Sequence, residues 1–306
     1  MPYYSYLILG GTEKAGTTSV YSYLNAHPQV AGSARKETDY FRNEGLLDLA
    51  GYEAQYPGAR PGQVRMEASP GYLADSAFAA PAIASVVPDA LLLFILRDPI
   101  DRLLSSFQFH KSRFFIPESM RFDDYFTLCM RYERGEVDPS TAGLAEWFLR
   151  VPDAGRYAAH LSDYFIRFPR RQIKVMTLDR LQRDPRGFMR EVCAWAGLDE
   201  SFYDSFDFVR ANVTFSPRRV WMQRLGLWVN DRLEPYFNRN PHIKQRLLAW
   251  YKRINGRPAD KSVLSSETAG LLRDYYADDV AALIDMISSG LDDARHWLRQ
   301  TQTQEI

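Results

Sequence analysis

Tyr6-Leu7-Ile8-Leu9-Gly10-Gly11-Thr12-Glu13-Lys14-Ala15-Gly16-Thr17-Thr18-Ser19 is the stretch on which the fold turns. Its apolar run, Tyr6–Leu9, is short and bounded by turn residues, the mark of a buried strand. A glycine-rich turn with one lysine follows, then three hydroxyl residues and a helical pattern over Thr17–Ala26. Strand, turn and helix in this order gather backbone N–H groups, a positive helix end, hydroxyls and an ammonium around one point. That is a cradle for an anion such as phosphate. Lys14, Ala15, Gly16, Thr17, Thr18 and Ser19 are its expected members. Ordinary capping by Thr17 or Thr18 accounts for the glycine and threonines but leaves the lysine unexplained.

Working outward, further strands are expected at Val64–Glu67, Leu91–Leu96 and Ile173–Thr177. Helical segments lie between them: Asp75–Val87, Pro99–Ser112, Gly155–Phe168 and Pro185–Ala196. Strands separated by helices predict right-handed crossovers and a mainly parallel sheet covered on both faces, an α/β fold. Leu91–Leu96 is apolar at all six positions, which suits a central strand buried on both sides. From about Asn212 the texture changes. No convincing strand follows, and helical periodicity runs through Trp221–Leu233, His242–Ile254 and Thr268–Ile287. This part carries Arg218, Arg219, Arg224 and Arg232 and reads as a helical layer on one edge of the sheet. Gln300–Ile306 reads as a polar, frayed end.

The 306 residues include 38 Lys and Arg against 38 Asp and Glu, a formal net charge of zero. That balance argues against a chain that wraps nucleic acid or lies on an anionic membrane, and leaves room for a small anion in a local basic pocket. Cys129 and Cys193 cannot build a disulfide framework, and the five histidines lack metal-ligand spacing. No apolar run reaches membrane-spanning length, and Met1–Gly11 does not read as a signal peptide, so the expected location is cytoplasmic. In that setting the Asn212-Val213-Thr214 sequon reads as chance.

A second element follows the central strand: Leu96-Arg97-Asp98-Pro99-Ile100-Asp101-Arg102-Leu103-Leu104-Ser105. Arg97 falls at the strand's carboxyl end, where open α/β sheets bind ligands, and Pro99 suits the first turn of a helix. Ser105, about two turns along, can meet the same anion if strand end and helix converge. A nucleoside-triphosphate P-loop places its lysine after the second glycine and a metal-binding hydroxyl directly after the lysine. Here Lys14 precedes Gly16 and is followed by Ala15, which disfavours an ATP-dependent kinase with a variant P-loop.

The Gly11–Ser19 loop, with Leu24-x-x-His27-Pro28 and Lys36-Glu37-x-x-Tyr40-Phe41, resembles the 5′-phosphosulfate-binding region of sulfotransferases that use 3′-phosphoadenosine-5′-phosphosulfate (PAPS). Arg97-Asp-Pro-x-Asp-Arg-x-x-Ser105 resembles their 3′-phosphate-binding segment. Glu67-Ala68-Ser69-Pro70-x-Tyr72-Leu73, Gly155-Arg-Tyr157-Ala-x-His160-Leu161 with Phe168-Pro169, and Leu181-x-x-Asp184-Pro185 resemble further blocks. The likeness covers about residues 5–200. It is nearer the bacterial and heparan-sulfate-type branch than the cytosolic small-molecule enzymes. It implies a P-loop-like three-layer fold in a single domain over 1–306, with a nucleotide-binding core over 1–210 and a helical region over 211–299.

By that resemblance Lys14, Ala15, Gly16, Thr17, Thr18 and Ser19 would hold the 5′-phosphosulfate, and Lys14 would also stabilise charge on the leaving oxygen. Arg97 and Ser105 would bind the 3′-phosphate. A C-terminal loop closes over the nucleotide in the family, and Asn212–Arg219, with Arg218 and Arg219, is the counterpart here. Glu37 would be the catalytic base, its pKa raised by burial beside Tyr40 and Phe41. His110, five residues after Ser105, is the rival. Ala68 stands where heparan-sulfate enzymes carry a lysine, leaving Glu67 as an auxiliary acid or the partner of an arginine. The aromatics between Phe107 and Tyr132 line an acceptor pocket or form core. The implied function is O-sulfotransfer from PAPS to a hydroxyl of a small molecule, a glycolipid or a carrier-bound group, with no metal required. Self-association as a homo-oligomer stays open. The alternative from another class is an inactive nucleotide-binding scaffold.

Overall fold

The computed structural model describes residues 4–43, 45, 47–209, 215–217, 219–233, 241–258, 264–287 and 292–297. Five parallel strands form the main sheet: β1 (Tyr6–Gly11), β2 (Val30–Gly32), β3 (Val64–Ala68), β4 (Leu91–Leu96) and β5 (Ile173–Thr177). Their spatial order is β2-β3-β1-β4-β5. From β1 the chain passes to the edge strand β2, returns to β3 between the two, and then crosses to the other side for β4 and β5, so the strand order reverses beside β1. In open α/β sheets ligands bind at the carboxyl ends of strands at such a reversal. β2 has only three residues, too few for its apolar pattern to register in the sequence.

The helices are α1 (Thr17–Asn25), α2 (Leu49–Glu53), α3 (Gly71–Ala74), α4 (Ser76–Val86), α5 (Pro99–Ser112), α6 (Phe122–Glu133) and α7 (Glu146–Leu149). α8 (Tyr157–Arg167), α9 (Leu178–Arg183), α10 (Pro185–Ala196), α11 (Val220–Arg232), α12 (Pro241–Asn255) and α13 (Ser266–Met286) complete the set. Two short antiparallel strands, β6 (Phe215–Pro217) and β7 (Gly256–Pro258), pair with each other. They correct the expectation of no strand beyond Asn212. Three-residue strands containing proline and glycine leave no alternating pattern to read.

By contact the chain divides into two compact units. The first comprises residues 1–103, 150–211 and 266–306, and the second 104–149 with 212–265. The helical C-terminal part is thus not one layer: α11 and α12 belong to the second unit, whereas α13 returns to the first. α13 is anchored there by polar contacts. Asp279 accepts the Ala158 and Ala159 amides at 3.0 Å each, capping α8, and the Tyr276 hydroxyl donates to the Pro152 carbonyl at 2.8 Å.

In the first unit alternate residues of β1, β3 and β4 face one core with α1 and α10. Leu7, Leu9, Leu93 and Ile95 pack there with Val20, Leu24, Phe188 and Val192. The other face of β4 meets α8, with the Phe94 and Tyr164 rings 4.8 Å apart. All six residues of Leu91–Leu96 are fully buried, as a strand covered on both faces requires. In the second unit Phe107, Phe122, Tyr125 and Phe126 are buried together, so these aromatics are core, and Phe115 is exposed.

Candidate active site

The turn between β1 and α1 is pinned at its start by the Thr12 amide, which donates to the Ile95 carbonyl of β4 at 2.8 Å. Lys14 then takes a left-handed backbone with φ 64°, a conformation that costs a non-glycine residue roughly 1–3 kcal/mol. Gly16, at φ 84°, closes the turn against α9, where a Cβ would lie 2.9 Å from Leu178 Cδ1. Among the described residues no side chain caps α1, since Gly16 itself stands at the N-cap. The capping alternative for Thr17 and Thr18 therefore fails. Thr17, Ser19 and Ala15 are buried, while Lys14, Gly16 and Thr18 are half-buried. The amides of the first turn, the helix dipole and the lysine are groups that can together attract an anion.

Arg97 leaves the carboxyl end of β4 and reaches that turn: its Nη1 donates to the Lys14 carbonyl at 3.3 Å. Tyr157 fixes Arg97 from behind, its hydroxyl donating to the Arg97 carbonyl at 2.8 Å, and Asp101 lies 3.6 Å from the guanidinium. The structure thus joins two segments that are 83 residues apart in the chain. Next to Arg97, Asp98 accepts the Ile100 and Asp101 amides at 2.9 Å each, capping α5.

Burial dominates at Asp98 and pushes its carboxyl up to about 6, against the capping amides, which favour the charged form. A raised folded-state pKa means that the stability linked to Asp98 is fully present below pH ~4 and is lost as pH rises through ~6. We expect the Asp98 carboxyl carbon to titrate near pH 6 by NMR, and unfolding free energy to fall by roughly 3 kcal/mol across that window from this group. In Asp98→Asn the contribution should vanish. A midpoint near 4 in the native protein would refute it.

Beneath the turn lies a charge with no sequence signal of its own. Arg102 is wholly buried, its Nη2 donating to the Val151 carbonyl at 2.6 Å and its Nη1 3.8 Å from Glu13 Oε1. It holds the residue before Lys14 from below. Its place in the Arg97–Ser105 motif, beside Leu103, was the only available hint.

Glu37 hangs beside the carboxyl end of β3, its amide donating to the Ala68 carbonyl at 2.9 Å. Ala68 is itself paired with Leu9 of β1. With the backbone turned inward, φ 63°, the side chain turns out: it is 55% exposed and ion-paired with Lys36. This corrects the expected burial beside Tyr40 and Phe41. Those rings pack on each other and on Tyr52 instead.

What is buried there is Glu67. It is fully enclosed and accepts hydroxyl protons from Thr38, from Ser69 at 3.0 Å and from Tyr72 at 3.1 Å. Its partners are hydroxyls and not an arginine. Burial raises its pKa, and the hydroxyls, Tyr52 included, pull the other way. Thr38 and Asp39, whose amide meets Ser69 Oγ at 3.1 Å, are thereby tied down next to Glu37.

The remaining site candidates lie in the second unit. Ser105 is half-buried on the second turn of α5. His110 is buried among Phe109, Trp147 and Phe148, a core position rather than an accessible base. Arg219 is exposed, and its backbone exchanges hydrogen bonds with the Asn255 side chain. Arg218 lies outside the described residues.

A family model described as sulfotransferase domain matches residues 5–220, well over half of the chain. The chain belongs to the sulfotransferase family. Human heparan sulfate glucosamine 3-O-sulfotransferase 3B1 is 31% identical over 205 residues, which is 64% of this chain and 48% of that protein. Mouse heparan sulfate glucosamine 3-O-sulfotransferase 6 is 26% identical over 250 residues, 81% of this chain and 69% of that protein. This sulfotransferase chain spans about half the length of the first curated relatives it matches. The crystal structure of a sulfotransferase from Alicyclobacillus acidocaldarius superposes with a TM-score of 0.62 at 22% identity, over 96% of this chain and all of that one. The sulfotransferase fold is therefore present nearly end to end. Among the described residues no helix is long and apolar enough to cross a membrane.

Proposed function

We propose that this chain is a PAPS-dependent O-sulfotransferase. The observation that carries the reading is the Arg97 guanidinium lying on the Lys14 turn at the carboxyl ends of β1 and β4. One anion site and one fork-shaped cation, side by side, suit a nucleotide with phosphate groups at both ends of its ribose. The donor set would be the first-turn amides of α1, Lys14, Thr17, Thr18 and Ser19 for the 5′ side and Arg97 for the 3′-phosphate, with Ser105 a further candidate. Arg218 and Arg219 would supply closing charge. PAPS would supply the sulfuryl group, and 3′-phosphoadenosine-5′-phosphate (PAP) would leave. The acceptor hydroxyl forms the new O–S bond, the bond to the phosphate oxygen breaks, and the acceptor proton goes to a base. Lys14 neutralises charge growing on the departing oxygen, and Glu37 takes the proton.

The names of the relatives place the transfer on a sugar hydroxyl in those proteins. Here the position of their expected lysine is Ala68, which favours a small, lipophilic or carrier-bound acceptor over a polyanionic glycan. The free thiols of Cys129 and Cys193, both buried, suit a reducing compartment such as the cytoplasm.

The donor assignment is tested with two ligands that differ by one phosphate. Calorimetry on Arg97→Ala should show PAP affinity down by roughly 10–100-fold, with adenosine 5′-phosphate affinity nearly unchanged. Equal losses for the two would remove Arg97 from the 3′-phosphate site.

A further inference from the structure

The formal charge of zero conceals a strongly basic stretch. Residues 215–258 contain ten Lys and Arg and two Asp and Glu, a net charge of +8, so the remainder of the chain carries −8. The same stretch holds three of the six tryptophans, Trp221, Trp228 and Trp250. In the second unit it folds into α11 and α12, joined by polar pairs: Arg219 with Asn255, and Gln223 with Tyr251. The partners run in opposite order, so the helices lie antiparallel. Gly226 sits where they meet, with a Cβ there at ordinary contact distance, 3.5 Å, from the Tyr251 ring.

With the polar pairs inside, the large apolar side chains point out. On α11 Trp221, Leu225 and Trp228 are 61%, 52% and 58% exposed, and their spacing of i, i+4, i+7 makes one stripe. On α12 Leu247, Trp250 and Ile254 are all exposed at i, i+3, i+7. Arginines border both stripes. Arg232 lies 5.9 Å from the Trp228 ring, and Arg246 and Arg253 are exposed on α12 beside Trp250. Water is a poor solvent for such stripes, and clustered exposed apolar side chains of this kind mark interaction sites.

We propose that α11 and α12 form a docking surface for an anionic lipid bilayer, on which the chain sits peripherally. Tryptophans with leucines set between arginines match the headgroup boundary, where apolar rings enter and guanidinium groups meet lipid phosphate. Charge excludes the two simplest rivals. A second copy meeting this surface with its own would bring +8 onto +8. A soluble polyanion would satisfy the arginines and leave both apolar stripes in water. The overall neutrality that argues against an anionic membrane is an average over two oppositely charged parts, and only the local field acts at a surface.

The test is flotation of the full chain with vesicles of phosphatidylcholine alone or mixed in equal parts with phosphatidylglycerol. Binding should require the anionic lipid and decline with salt, and brominated lipid should quench tryptophan emission. Arg246→Gln with Arg253→Gln should weaken partitioning by roughly 30-fold. The triple variant Trp221→Ser, Trp228→Ser, Trp250→Ser should abolish it with the melting temperature unchanged, because all three rings are exposed. Absence of vesicle binding by the intact chain overturns the proposal, as does binding without quenching. So does binding that survives the tryptophan substitutions and is competed away by heparin, which would make the surface a polyanion site. The bromolipid measurement uses the unaltered protein and stands whatever the folding of the variants.

Discussion

Lys14→Ala should lower kcat by roughly 10²–10³-fold, the scale of removing one group that stabilises transition-state charge. The turn around Lys14 is held by contacts of its neighbours. Gly16 at positive φ, the Thr12 amide on β4 and the buried Arg102 beneath Glu13 keep the backbone in place, so the variant should melt like the parent. PAP affinity should also fall, because the product retains the 5′-phosphate, but less than turnover does. Lys14→Arg is expected to restore little. A guanidinium is planar and wider than an ammonium and cannot reproduce the compact point charge of the lysine at this half-buried position. Single-turnover rates with saturating PAPS separate the effects, and an unchanged rate in Lys14→Ala would remove the lysine from the chemistry.

Glu37→Gln is expected to reduce kcat by roughly 10²–10⁴-fold with PAP affinity held within a few-fold. The isosteric amide keeps the Glu37–Asp39 segment intact, since it is held by backbone and neighbours: Glu37 N–H on Ala68, Thr38 on Glu67, Asp39 on Ser69. The exposed carboxylate paired with Lys36 is available to an incoming hydroxyl in a way that a buried one is not. His110 offers no comparable edge, enclosed as it is by aromatic rings. Normal turnover in Glu37→Gln would mean that the proton leaves by another route.

The parts of this molecule that could be read from its sequence are those where one residue type has few uses. A run of six apolar residues has one comfortable home, and β4 occupies it. A lysine among glycines before hydroxyls, and an arginine at a strand end before proline, are likewise legible as elements at the carboxyl ends of strands, and the fold brings them together. What could not be read depends on contacts remote in sequence. Nothing local announces that Arg102 is buried under Glu13, or that Glu67 gathers hydroxyls from Thr38, Ser69 and Tyr72. The expectation for Glu37 failed for a related reason. Apolar neighbours in sequence suggested burial, but a left-handed backbone turn sends its side chain the opposite way from Phe41, which is fully buried. The strands β6 and β7 and the return of α13 are likewise settled by pairing, not by pattern.

That return changes what counts as a minimal fragment. A chain cut at residue 210 would retain every proposed phosphate-binding residue of the first unit and still lack part of its own scaffold. The amides of Ala158 and Ala159 would lose Asp279, and the Pro152 carbonyl would lose the Tyr276 hydroxyl. Both losses fall at the entry to α8, whose first residue, Tyr157, holds Arg97 by its carbonyl. Helix α13 is thus a remote brace for Arg97, the arginine proposed to take the 3′-phosphate, and trimming the C-terminus is expected to weaken PAP binding.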